Sequence, residues 1–375
     1  MNIRLLIPFY DPTVKDWSLT ARMLRWLTFL WLAIGLIVLF SASYYHGESD
    51  QKGDGFYYFN RQVFAVIISL IIFNIIIHSP LKKPLSFSHW GLLGILGLLL
   101  LTVLTGLGKN TMGATRWISL GPVQIQPSEL IKPFLVLQGA KLFGRWDRYP
   151  VRVRATWLGI FAIVLLAILK QPNLSTTALC GMSLWLIAFA AGLPFRYLGA
   201  AAIGGVLLAG LSMIVNPYQL VRMLSFIDPW ADPTRTGFQL VQSLMAIGSG
   251  GAFGNGFGLS QQKLGYLPIQ DTDFIFSVFA EEFGLVGSIL LLIMVMSYAT
   301  IGILIAMRTY HPVHRLVAIG CTTFIVLQSL LNIGVAAGIL PTTGLPLPMF
   351  SYGGSSMVAT LIHFCSRYIP FGKPF

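Results

Sequence analysis

NPYQLVRMLSFIDPWADPTRTGFQLVQSLMAIGSGGAFGNGFGLSQQKLGYLPIQDTDFIFSVFAEEFGLVG, residues 216–287, is the stretch on which the reading of this chain turns. It holds six of the thirteen acidic residues and a dense run of glycines. The long segments on either side are plain apolar runs, seven before it and three after it or at its end. It is therefore the one long polar interruption in a series of membrane spans, and the place where chemistry is expected.

Working outward, apolar residues make up 55% of the chain and charged ones 10%. The mean hydropathy of +0.75 lies well outside the soluble globular norm. Ten apolar segments approach the roughly 20 residues that a bilayer requires: 24–44, 61–79, 90–108, 127–143, 155–170, 174–192, 196–215, 275–307, 316–340 and 351–369. The expectation is an all-α polytopic membrane protein of about ten transmembrane helices, one integral domain over 1–375. Its large extracellular loop, 216–274, lies between the seventh and eighth spans, and the eighth span is long enough to be tilted or broken. No short apolar run with a processing site precedes the first span, so that span is expected to stay as an anchor. Cys180, Cys321 and Cys365 are scattered through apolar segments, which points to buried thiols and away from a disulfide framework or a CxxC metal site.

The formal net charge is +12. With the N-terminus in the cytoplasm, one side of the membrane receives sixteen of the 25 basic residues and only Asp11, Asp16 and Asp147 against them. This is the positive-inside pattern. The basic excess reports topology and contact with anionic lipid headgroups, and no nucleic-acid partner is implied. The basic loop 144–154 reads as a solvated cytoplasmic turn, and the tyrosines of the first extracellular loop, 41–62, as an interfacial belt.

Within the long stretch, Asp271 and Asp273 stand where the chain re-enters the membrane, and the pair Glu281 and Glu282 follows. A carboxylate between solvent and apolar surface tends to have a raised pKa, which suits a general base. Two neighbouring carboxylates can equally bind a divalent cation or a sugar hydroxyl. The glycines of 247–258 can present N–H groups to phosphate or simply permit close packing, and no GK[ST] follows them. Arg222, Arg235 and Lys263 are the loop cations available to a diphosphate, while Gln239, Gln242 and Ser243 recur at helical spacing on one polar face.

Two further stretches carry polar residues at membrane depth. In GKNTMGATRWISLGPVQIQPSELIKPFLVL (108–137), Pro127 suits a first helical position and Glu129 a first turn. Glu129 and Lys132 are three apart and can pair on one face, lining a cavity or forming a structural pair. Arg116, Gln126 and Ser128 lie in the same stretch as candidate cavity residues. LPTTGLPLPMFSYGGSS (340–356) is too irregular to face lipid and must line a cavity or be covered by protein. Its Ser351, Ser355 and Ser356 are candidate caps of the last helix or anion contacts.

The ordered set GATRWISLG, QPSELIK, DPWADP, GFQLVQSLMAIGSGG, YLP, TDFIF, EE and LPLPMFSYGGSS resembles the SEDS family (shape, elongation, division and sporulation) over nearly the whole chain. GLSQQKLGYLP and the first loop look more like its division branch than its elongation branch. The resemblance implies a peptidoglycan glycosyltransferase of the bacterial cytoplasmic membrane that polymerises lipid II on the outer side. It also implies a class B penicillin-binding transpeptidase as partner, with other divisome or elongasome membrane proteins. By the same resemblance Asp273 is the essential aspartate, and Glu129 and Lys132 are the cavity pair. The family usually has His where this chain has Asp271, Glu at Ile269, and QPDLGT where this chain reads Gln171, Pro172, Asn173, Leu174, Ser175, Thr176. A divalent cation (Mg or Mn) is a candidate cofactor. A flippase for lipid-linked precursors and a non-catalytic scaffold for a transpeptidase are the competing readings.

Overall fold

A computed structural model describes residues 14, 17–50, 53–105, 109–111, 114–120 and 123–365. The chain runs through α1 (Leu19–Asp50), α2 (Tyr57–Ile77) and α3 (Lys82–Thr105). Three short strands follow, β1 (Lys109–Thr111), β2 (Ala114–Leu120) and β3 (Val123–Ile125). Then come α4 (Pro127–Phe143), α5 (Val151–Lys170), α6 (Leu174–Ala190), α7 (Phe195–Val215), α8 (Pro217–Ile227), α9 (Phe238–Ser249), α10 (Ile275–Met307), α11 (Pro312–Ala336) and α12 (Gly354–Cys365). The fold is helical and polytopic, as expected, but the three strands form an antiparallel sheet of order β1-β2-β3. Of the charges used to orient the chain, Arg4, Asp11, Lys15, Asp16, Arg367 and Lys373 lie outside the described residues.

Among the described residues, seven helices are long and apolar enough to cross a membrane: α1, α2, α3, α5, α7, α10 and α11. The other three segments expected to span are shorter here. α4 and α6 have 17 residues each and α12 has 12. α4 starts late because the chain enters it from the sheet through Pro127, and α12 starts late because 340–353 stays irregular.

Two apolar cores share α11. One is built from α1, α2, α10, α11 and the segment 347–361, and centres on Trp31, Tyr298 and Phe350. The other joins α3, α4, α5, α6 and α11 around Leu92, Leu135 and Leu179. α7 stands off this body, with only Leu198 and Ser212 buried. Cys180 and Cys321 are buried, as read from the sequence.

The eighth span is broken as expected. Gly284 leaves the helical region inside α10, with φ 67° and ψ −164°. The glycine loop fills the break: Leu285 and Val286 donate to the carbonyls of Gly251 and Ala252, and Asn255 and Gly256 donate to those of Glu281 and Glu282. A Cβ at Gly254 would stand 2.1 Å from the Glu282 carbonyl oxygen, so only glycine permits this approach. The loop read at 41–62 is shorter than expected, because α1 continues through Ser41 and His46 to Asp50. The polar last turns of α1 pack on the loop 269–274 and on α10: Gln270 donates to the Ala42 carbonyl and Ser41 reaches Glu282.

Candidate functional site

The site lies where the re-entry loop 269–274 meets the irregular segment 340–353. Gln328 and Asn332, four apart on one face of α11, fix both. Gln328 Nε2 donates to the Pro346 carbonyl at 2.7 Å, and Asn332 Nδ2 donates to the carbonyls of Leu345 and Asp273, each at 2.8 Å. Ser351 Oγ donates to the Thr272 carbonyl, and the Tyr352 N–H donates to that of Asp271 at 2.8 Å. The irregular backbone is thus covered by protein, which answers the requirement that lipid cannot meet.

Six acidic side chains lie in 216–287, and five of them are engaged. Asp228 Oδ1 accepts from the N–H groups of Trp230 and Ala231, and Asp232 Oδ2 from Thr236, so DPWADP builds a turn. Glu281 holds the 260–262 turn through Ser260 Oγ and the Gln261 N–H. Glu282 Oε1 pairs with Lys263 Nζ at 2.7 Å and accepts from Ser41 Oγ. Asp271 Oδ2 lies 3.3 Å from His46 Nδ1, with Tyr58 stacked on the imidazole at 4.6 Å. Asp273 alone has neither a side-chain hydrogen bond nor an ion pair among the described residues.

Asp273 is a half-buried residue. Burial pushes it up to about 6, with Asp271 and Glu129 adding to the rise and Arg222 and Arg116 opposing it. Gly344 leaves room beside it, since a Cβ there would stand 3.4 Å from Asp273 Oδ2. Two guanidiniums thus lie within electrostatic reach of one unpartnered carboxylate. Arg116 is braced by donating to the carbonyls of Gln171 and Pro172. Arg222 lies over the Tyr218 ring on α8. Such a set can take a proton from a hydroxyl while holding an anion nearby.

The other expected residues fall into two groups. Glu129 and Lys132 pair as anticipated, at 2.5 Å, but deep between α4 and α11, where Lys132 also reaches Gln328 Oε1 at 3.4 Å. Their link to Asp273 is through the field of Glu129 and through Gln328 and the segment it holds. Gln126 donates its N–H to Ser355 Oγ, tying α4 to α12, and the Ser128 hydroxyl is buried without a hydrogen-bond partner among the described residues. Lys263 is withdrawn from any diphosphate by its pairing with Glu282. Ser243 turns into the core against Ser277 and the Ala336 carbonyl, while Gln239 and Gln242 stay half-buried. Ser351 bonds the re-entry loop, and Ser356 donates to the Gly353 carbonyl. Asn173 caps α6 by accepting from the Thr176 N–H.

Sequence reading passed over His46, Gln328 and Asn332. The signal for the last two was present, as amides spaced by four inside an apolar span. His46 gave none, because its partner lies 225 positions away in the chain. Among the described residues no group of three or more His, Cys, Asp or Glu side chains could hold a metal ion.

Comparison with known proteins bears on the whole chain. The family model described as "Cell cycle protein", covering FtsW, RodA and SpoVE, matches residues 21–365. The chain is 56% identical over 361 residues to the "Probable peptidoglycan glycosyltransferase FtsW" of Synechocystis sp., covering 96% of this chain and 91% of that one. It is 48% identical to the "Putative peptidoglycan glycosyltransferase FtsW" of Cyanophora paradoxa, covering 96% and 90%. A structure described as "Structural coordination of polymerization and crosslinking by a peptidoglycan synthase complex" superposes with a TM-score of 0.76 at 28% identity, over 94% of this chain and 97% of that one. The rod shape determining protein RodA of Thermus thermophilus gives 0.66 at 28% identity, over 91% and 93%.

Proposed function

The chain belongs to the family of cell cycle proteins that takes in FtsW, RodA and SpoVE, and from that premise we propose that it polymerises lipid II into peptidoglycan glycan strands. The observation that carries the mechanism is the unpartnered carboxylate of Asp273 beside Arg116 and Arg222. Asp273 takes the proton from the 4-hydroxyl of the acceptor's N-acetylglucosamine as that oxygen bonds to C1 of the donor's N-acetylmuramic acid. The C1–O bond to the diphosphate breaks, and undecaprenyl diphosphate leaves with the electron pair. An α-linked donor gives a β-1,4 product in this single inverting displacement. Arg116 and Arg222 stabilise the charge that develops on the leaving diphosphate.

In this reading the site opens on the extracytoplasmic side, both termini are cytoplasmic, and the partner is a class B penicillin-binding transpeptidase acting in division. Glu129 and Lys132 position α4 and α11 under the site. Full-length protein in detergent, given purified lipid II, should form glycan polymer, and Asp273→Ala should form none while keeping its unfolding temperature. Full polymerisation by that variant ends the assignment. Absence of polymer from the wild-type chain with its partner present favours a flippase, which has no work to do in detergent.

A further inference from the structure

The end of the bundle away from Asp273 carries a second site. Residues 143–148, Arg154, residues 191–194, Arg196, Tyr197 and the start of α11 line an open cavity of about 490 Å³. Arg145, Arg148, Arg154, Arg196 and Arg315 line it, with Asp147 the only acidic residue among its walls. Two of the five are held by internal contacts. Arg154 donates to the Tyr149 carbonyl at 2.7 Å and lies over Trp146, and Arg196 lies over Tyr197. The guanidiniums of Arg145, Arg148 and Arg315 have no hydrogen bond and no carboxylate within 4.0 Å among the described residues. Five guanidiniums gathered around one cavity with Asp147 as the single acidic wall residue repel one another, and an anion of more than one charge would relieve that repulsion.

Position decides what kind of anion. α4 runs from Glu129 at the far end to Phe143 in this cavity, and α11 from Asn332 to the cavity's Pro312. At 1.5 Å per residue those paths are about 21–30 Å long, close to the thickness of the hydrocarbon layer. The cavity therefore sits at the membrane edge. Its floor is apolar, with Phe143 and Leu316 buried. Its wall residues Arg196 and Tyr197 begin α7, whose Ile203, Val206 and Leu207 further along are exposed. A charged pocket that opens onto an apolar lane matches an amphiphile, whereas a free phosphate would use the pocket and leave the lane unused.

We propose that this cavity binds the headgroup of an anionic phospholipid, with its phosphate among Arg145, Arg148 and Arg315 and its acyl chains along α7. The loop that the sequence presents as a solvated turn is then a lipid-recognition element, independent of the polymerising site.

The test uses full-length protein in nanodiscs of phosphatidylcholine containing diphosphatidylglycerol, with retained lipid read by native mass spectrometry. The wild-type chain should retain diphosphatidylglycerol over phosphatidylcholine. Arg145→Gln/Arg315→Gln should weaken that retention about thirty-fold, as two arginines near a membrane surface imply. Arg152→Gln, on the same basic segment but outside the cavity, should leave it unchanged. If the double variant does not fold, Arg148→Gln alone should still weaken retention by about fivefold. Equal retention of the two lipids, or unchanged retention in the cavity variants, overturns the proposal. So does full displacement by millimolar inorganic pyrophosphate, which would assign the cavity to a soluble anion.

Discussion

Asp273 and Glu282 are nine positions apart on the same re-entrant stretch, yet the fold treats them in opposite ways. Glu282 is buried and meets Lys263 and Ser41 at 2.5–2.7 Å, and this joint locks α1, the turn that ends at Lys263, and α10 together. Asp273 sits partly exposed beside Gly344 with two guanidiniums in reach and none in contact. A carboxylate with partners builds structure, and one without them remains available to a substrate. Removing the first should cost stability, and removing the second should cost activity alone.

The contrast can be broken most forcefully at Lys263. Lys263→Ala leaves Glu282 buried without its cation, and we expect a loss of about 3–5 kcal/mol, read from thermal or denaturant unfolding in detergent. Gly254→Ala attacks the same joint from the backbone, where φ is +81° and the new Cβ meets the Glu282 carbonyl oxygen. A loss of about 1–3 kcal/mol is expected there. On the other arm, a base with a pKa of about 6 works only when deprotonated. The profile of kcat/KM should be flat above pH 7 and fall about tenfold per unit below 6. Arg222→Gln removes a charge that favours the carboxylate, so its acid limb should move to higher pH. The smallest effect belongs to the exposed Arg235, where Arg235→Ala should change stability by less than about 0.5 kcal/mol and leave polymerisation intact.

Local features were legible in the sequence and long-range joints were not. Pro127 and Glu129 mark the start of α4, and the spacing of Glu129 and Lys132 announces their pair, because helix geometry converts a three-residue step into a contact. The break at Gly284 follows from a span too long for one straight crossing. Lys263 looked like a diphosphate ligand because nothing local shows that Glu282 and Ser41, 222 positions away, converge on its amine. The strands of 109–125 were missed for a related reason: short segments held by pairing with each other lack the alternation of a half-buried strand. The glycine run permitted both of its readings, and in the structure Asn255 and Gly256 donate to carbonyls of α10 while the carbonyls of Gly251 and Ala252 accept from Leu285 and Val286.

The most direct measurement is a side-by-side assay of Asp273→Ala and Lys263→Ala, following lipid II polymerisation and unfolding temperature on the same preparations. The account predicts that Asp273→Ala loses polymerisation by about 10²–10⁴-fold at an unchanged unfolding temperature, while Lys263→Ala melts several degrees lower. An Asp273→Ala chain that polymerises at the wild-type rate, or that fails only because it unfolds, would contradict it.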